Sequence, residues 1–244
     1  MSRHELKEDE FVSTVQAAEQ FFKQNARELI VGAAAALVVA GLVMAWRTYS
    51  ERQNAAANNA LALALKTYQA DVTAAPAPNL FSPGAAAPSL PDGSFTSSEA
   101  KYKAALAQFT DVVAKYPREK AADFARYHIG LCQAALGNEA GAIASLQAAS
   151  GSSDKDAAAL AGLALAGEYA RTGKNDQAAA EYQKLADHPT STVPRATALL
   201  ALADLYRDTK PAQARVIYEQ VEKEFGSDAY LVSTVKQQLD SLPK

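Results

Sequence analysis

Residues 130–150 read GLCQAALGNEAGAIASLQAAS, and residues 163–187 read LALAGEYARTGKNDQAAAEYQKLAD. Each runs through an alanine-rich segment, breaks at a glycine (Gly137, Gly173), and resumes with an alanine four residues ahead of a large apolar side chain. The resuming pairs are Ala142 with Leu146 and Ala178 with Tyr182; Ala105 with Phe109 and Ala214 with Tyr218 repeat the pattern, at intervals of 37, 36 and 36 residues. A small residue one helical turn before a large one lets a neighbouring helix approach and then fills the gap. Three of these helices follow a turn: Gly137-Asn138, Gly173-Lys174-Asn175 and Asp208-Thr209-Lys210-Pro211. The turns supply C-caps, N-caps and a proline suited to a first helical turn. Alanine-rich helices are expected ahead of them at 123–136, 157–171 and 195–207. The unit is therefore helix–turn–helix every 36 or so residues. Such a period predicts an all-α chain built as an α-solenoid, in which each helix pair buries its face against the next.

Outward from the repeats, 229–242 reads as a capping helix. On the other side, 47–71 contains neither proline nor glycine and carries a broad apolar face of Ala56, Ala60, Leu61, Leu63, Ala64, Leu65 and Tyr68. It predicts a helix, and 50–71 serves as the opening helix of the first unit. Between it and its mate lies 74–98, AAPAPNLFSPGAAAPSLPDGSFTSS, which holds five of the ten prolines and no basic residue. Proline removes donors and blocks helix, so this is an extended or disordered insertion. A plain flexible insertion is favoured over a partner-binding role for Phe81 and Phe95.

Further back stands 29–46, LIVGAAAALVVAGLVMAW, 18 residues without a charge. As a helix it spans roughly 27 Å, close to the bilayer's hydrocarbon core of about 30 Å. Glu28 and Arg47 close the run, and Trp46 and Tyr49 sit where interfacial aromatics lie. A buried helix of a large soluble core is the competing explanation; the length without charge favours a single membrane span. The 28 preceding residues have a net charge of −2, a head too long and too acidic for a cleavable signal. An uncleaved anchor is expected. Lys23 and Arg27 before the run balance Arg47 and Arg52 after it, so charge alone does not orient the chain. In the head, Phe11, Val15, Ala18 and Phe22 form one helical stripe. It fits a helix continuing out of the anchor and equally one lying on the membrane or docked on a partner. The organisation expected is a head at 1–28, a transmembrane helix at 29–46 and a repeat domain at 47–244.

Beyond residue 46 the chain holds 20 basic and 21 acidic residues, which argues against a nucleic-acid binder. The single cysteine, Cys132, excludes an intrachain disulfide; its apolar neighbours make it a buried small hydrophobe. His4, His128 and His188 are the three histidines, and none has a partner at metal-ligand spacing. HExxH, GxGxxG, P-loop and GxSxG patterns do not occur in the sequence. His128 is expected to be a packed or surface histidine, His188 a solvated turn residue, and Asp154 and Asp156 capping groups. No catalytic residue, cofactor or metal is predicted, and the expected class is non-enzymatic.

The helix pairs resemble the tetratricopeptide repeat. Gly130, Gly137, Ala142, Leu146 and Ala149 carry the likeness in one unit; Leu165, Ala166, Tyr169, Gly173, Ala178 and Tyr182 in the next; Ala105, Phe109 and Pro117 in an earlier one. The likeness covers about 99–225. The last unit has a turn about one residue short and no glycine in it. By this analogy the first helices of the pairs line a protein-binding groove. Its lining is expected to be Tyr127 and Leu131, then Leu163, Gly167 and Arg171, then Asp204 and Arg207. The basic and asparagine residues of a carboxylate clamp are absent at these positions, so recognition by shape and apolar contact is implied.

With the head included, the sequence is similar to the family of the ancillary SecYEG translocon subunit. Phe21-Phe22, Asn25, Gly32, Gly41 and Trp46-Arg47 carry that resemblance, followed by the long helix bearing Tyr68. It is strongest over residues 12–70, and the Pro-rich insertion departs from the family's pattern. The resemblance implies a bacterial inner-membrane protein with a cytoplasmic N-terminus and a periplasmic C-terminal repeat domain. Its implied partners are export-channel proteins and periplasmic chaperones or emerging substrates. An envelope assembly or division scaffold would use the same architecture, and a homo-oligomer stays open.

Overall fold

The computed structural model describes residues 5–73 and 93–242, with the side chains of 5–24 and of residue 29 left out. The amphipathic stripe expected on Phe11, Val15, Ala18 and Phe22, and the conformation expected of 74–92, lie outside what is described. Within the described residues the chain is helical and has no β-strand. Its helices are α1 (Glu5–Tyr68), α2 (Ser98–Lys115), α3 (Lys120–Ala135), α4 (Glu139–Ser150), α5 (Lys155–Arg171), α6 (Asn175–Asp187), α7 (Arg195–Tyr206), α8 (Pro211–Glu224) and α9 (Ala229–Ser241). The chain divides into two compact units, Met1–Arg52 and Gln53–Lys244.

In the first unit, α1 carries the apolar run. The protein buries none of residues 30–49, and Ile30, Leu37, Leu42 and Met44 are each more than 60 % exposed. A soluble-core helix would have these side chains covered by protein. The segment is thus one helix long and apolar enough to cross a membrane.

In the second unit, helices follow one another in antiparallel pairs joined by short turns. The turns at Gly137 and Gly173 are built alike. Both glycines have positive φ, +77° and +76°. The N–H of Asn138 donates to Gln133 O (2.9 Å) and that of Gly137 to Ala134 O (3.0 Å); Lys174 donates to Tyr169 O (2.8 Å) and Gly173 to Ala170 O (3.1 Å). These are the paired closures of a helix C-terminus ended by a left-handed residue. Asn138 then caps α4 by accepting from Gly141 N–H, and Asp154 caps α5 by accepting from the N–H groups of Asp156 and Ala157. The turn before α8 uses no glycine; Lys210 N–H closes on Tyr206 O and Pro211 opens the helix.

The periodic pairs of the sequence are the spine of the core. Ala105, Ala142, Ala178 and Ala214 are fully buried; Phe109, Leu146 and Tyr218 are also at 0 % exposure, and Tyr182 at 8 %. Three apolar clusters follow in series: one around Phe109, joining α1, α2 and α3; one around Leu146, Leu165 and Tyr182; and one around Tyr218, closed by Val235 of α9. No buried polar or charged side chain occurs among the described residues. At Gly130 a Cβ would fall 2.5 Å from Leu146 Cγ, so this glycine sets how closely α3 and α4 pack.

The insertion is held at its base. Thr73 N–H donates to Phe95 O (2.9 Å) and Phe95 N–H to Asp71 O (3.0 Å), an isolated parallel bridge between Val72 and Phe95. Ser97 then caps α2 by accepting from Ala100 N–H. The non-helical segment expected to reach residue 98 therefore ends one residue earlier, because Ser98 is already the first residue of α2.

Candidate protein-binding surface

Of the seven residues expected to line a groove, six lie on the first helices of three successive pairs, α3, α5 and α7, and Arg207 is the C-cap residue of α7. Tyr127 is half-buried and packs with Leu163 against the cluster containing Leu146, Leu165 and Tyr182. Leu163 also touches the Tyr218 cluster. Leu131 is half-buried, one turn beyond Tyr127. Gly167 faces open space: a Cβ there would meet nothing within 4 Å. Arg171 is exposed and tied down, Nη2 to Glu168 Oε2 at 2.7 Å and Nη1 to Glu139 Oε1 at 3.0 Å. Its hydrogen bonds to Glu168 and then Glu139 raise its pKa further above the usual guanidinium value. Asp204 Oδ1 accepts a hydrogen bond from the hydroxyl of buried Tyr218 across on α8. Burial and then this bond push the Tyr218 phenol well above its ordinary value. Arg207 lies 3.6 Å from Asp208 in an exposed ion pair. Tyr127 and Leu163 thus share one apolar cluster, whereas Arg171 and Asp204 spend their polar groups on α4, α5 and α8.

Two open cavities lie elsewhere on the repeat unit. One, about 700 Å³, runs between α6 and α8 over α7, with Leu202 and Tyr206 as floor and Val216 on its rim. Val216 is 64 % exposed, while Ile217 beside it packs inward on two clusters. Sequence reasoning had assigned recognition to the first helices only and missed this face. The one available signal was Val216, an apolar residue off the buried stripe of α8. The second cavity, about 560 Å³, is lined by Ala158, Ala159, Gly162 and Leu185 below Lys155, Lys184 and His188. Next to it, Arg195 gathers three helices. Its Nη1 donates to Ala186 O at the end of α6, and its Nε lies 2.9 Å from Glu224 of α8. Asp156 accepts from Thr192 Oγ1 (2.8 Å) and Ser191 Oγ (3.2 Å), holding the connection before α7.

The titratable groups inside the fold are arranged for packing. His128 stacks on Phe109 (centroids 4.8 Å apart, planes 10° apart), with Tyr68 and Tyr127 edge-on at 5.2 and 4.9 Å. Burial lowers its pKa to about 4. Burial also pushes the Cys132 thiol up to about 12, which keeps it protonated and unreactive. Asp154 sits below the usual carboxylate range because Ala157 N–H donates to it. Among the described residues no group of three or more His, Cys, Asp or Glu side chains is placed to hold a metal ion. The surface offers apolar grooves with polar rims, the means of binding another protein.

Two segments, residues 124–150 and 197–227, match the tetratricopeptide repeat model. They correspond to α3 with α4 and to α7 with α8, the second and fourth pairs. The last pair matches although its turn is short and lacks glycine: the buried Ala214 and Tyr218 keep the helix contact that the glycine turn serves in the other units. No curated protein and no solved structure gives a match. The chain is similar to the tetratricopeptide repeat over those two segments, and around them it folds as a tetratricopeptide-like α-solenoid behind one long apolar N-terminal helix.

Proposed function

We propose that this protein is a membrane-tethered, non-enzymatic interaction module that serves as an accessory of the protein-export translocon. The observation that carries the reading is the pairing of an uncovered apolar helix at residues 30–49 with a stack of repeats whose interior holds no buried charge. The first tethers; the second presents grooves. Tethering raises the local concentration of the repeats around membrane partners and strengthens otherwise modest contacts. The choice of export-channel proteins and of periplasmic chaperones or emerging substrates rests on the resemblance of residues 12–70 to the ancillary translocon subunit family. So do the cytoplasmic head at 1–28, the inner-membrane span at 29–46 and the periplasmic placement of 47–244.

In this reading the groove comprises Tyr127, Leu131, Leu163, Gly167, Arg171, Asp204 and Arg207. Leu131 and Gly167 are its most direct reporters, because neither holds a polar contact that the fold needs. The test places a photo-crosslinking residue at Leu131 and a protease-cleavable tag at the C-terminus, in cells with a permeabilised outer membrane. Crosslinks to export-channel or chaperone proteins, together with a cleaved tag, are expected. A protected tag puts the repeats in the cytoplasm and refutes the orientation; a cleaved tag with crosslinks only to unrelated envelope proteins refutes the translocon assignment.

A further inference from the structure

The first apolar cluster contains a group that the interaction reading does not use. His128 sits where α1, α2 and α3 meet, stacked on Phe109 of α2 and edge-on to Tyr68 of α1 and Tyr127 of its own helix. Tyr68 in turn packs on Tyr102 and Phe109, at 5.6 and 6.2 Å between centroids. Among the described residues, His128 Nδ1 is the one buried side-chain nitrogen or oxygen with no hydrogen-bond partner. Folded proteins pair the great majority of such buried groups; this one faces rings.

The groups that face this ring are phenols and a thiol. Tyr68 comes from α1, with Tyr102 of α2 packed behind it, and Tyr127 and Cys132 come from α3; burial raises the pKa of Tyr68, Tyr127 and Cys132, so these three stay neutral in acid. Among the described residues no carboxylate is paired with His128 to welcome a proton; Asp123, on the same helix, is engaged by Arg126 at 2.7 Å. A neutral imidazole tolerates the site. An imidazolium carries a proton on both nitrogens, so Nδ1–H would point into a ring cluster with no acceptor, and its charge would lose water. The electron-rich faces of Phe109 and the tyrosines return part of that loss by attracting the cation. They cannot replace a hydrogen-bond acceptor. The cheaper outcome is for the cluster to part and admit water.

We propose that His128 is an acid-sensitive latch on the first helix pair: a proton taken from solvent by its imidazole releases the packing of residues 57–68 of α1 on α2 and α3, while the later pairs stay closed. The serial architecture makes a local release possible, because the Phe109 cluster shares no residue with the Tyr218 cluster. The released surface would include Ala57, Ala64 and Phe109, all buried in the closed form. Acid would thus uncover an apolar surface on the segment that continues directly into the apolar N-terminal part of α1. Burial holds the histidine's own titration near pH 4 while it is packed. Opening frees it to take a proton at its ordinary value near 6.5. Release is therefore driven progressively between those two values, as pH falls.

Hydrogen–deuterium exchange on the full-length protein in detergent tests this, with rates corrected for the intrinsic effect of pH. Between pH 7 and pH 4.5, peptides covering 53–68 and 98–115 are expected to lose protection at least tenfold, with those covering 195–241 changing less than twofold. His128→Phe keeps the stacked ring and cannot take a proton, so it should remove the difference. His128→Leu, which fills the site without a ring, guards against a variant that fails through stacking geometry alone. Loss of protection in acid that is equal across all helix pairs overturns the proposal. So does an undiminished loss at 53–68 in a folded His128→Phe or His128→Leu protein.

Discussion

Gly130 and Gly167 both lie inside helices, and their surroundings assign them opposite roles. At Gly130 an added Cβ meets Leu146 Cγ at 2.5 Å and Leu146 N at 3.3 Å, and Leu146 is fully buried with nowhere to retreat. Overpacking of this kind costs about 1–3 kcal/mol, against a gain of about 0.5–1 kcal/mol for removing a helical glycine. The clash wins, and Gly130→Ala should lower stability by about 1–2 kcal/mol in urea unfolding. Shortening Leu146 as well should make the pair of changes cost less than their sum; strict additivity would show that the contact is not the cause. At Gly167 the Cβ meets nothing within 4 Å. Gly167→Ala should therefore stabilise the fold by about 0.5–1 kcal/mol. If the same variant weakens partner capture, the glycine is kept for the surface it presents. The sequence marked Gly130 as a repeat residue and Gly167 as a lining residue of the groove. It could not rank them, because only the position of Leu146 on the neighbouring helix tells them apart.

At the scale of elements, the turns were legible because their chemistry is local. A glycine followed by Asn or Lys, with an alanine-rich helix on each side, contains its own instruction: the left-handed φ at Gly137 and Gly173 closes one helix as the next begins. Both glycines have open space around the missing Cβ, so any cost of substitution comes from the backbone. Gly173→Ala should cost about 1 kcal/mol through left-handed strain, and Gly173→Asn distinctly less, since asparagine tolerates that region. Equal losses for the two variants, read from thermal unfolding, would mean that the strain argument fails and that glycine is needed for another reason. What the sequence did not yield at this scale depends on non-local placement. The bridge between Val72 and Phe95 joins residues across a proline-rich stretch with no strand pattern. The 700 Å³ groove exists only because α6 and α8 flank α7 at a particular spacing. The meeting of Arg195 with Ala186 O and Glu224 likewise joins three helices through contacts that the 36-residue period does not specify.

For the molecule as a whole, the 36-residue period sufficed to give the architecture, because a solenoid needs only nearest-neighbour contacts. The apolar clusters bear this out. Phe109 anchors the first, Leu146 and Tyr182 the middle one, and Tyr218 the last, with no buried charge to couple distant parts. Stability in such a stack is distributed along its length, so damage at one end should be felt there first. The helix α9 provides the means to test this. Its Val235 is fully buried against the cluster holding Val221 and Tyr218, and Leu231 and Leu239 pack alongside. A chain ending after Asp228 leaves that cluster open to water on one face. Exchange or limited proteolysis at pH 7 should then show α7 and α8 losing protection by an order of magnitude or more, with α2 and α3 nearly unchanged. Uniform loss from α2 to α8 would instead mean that the repeats unfold as one cooperative body. In that event the first pair could not open alone, and the acid response centred on His128 would have to involve the entire stack.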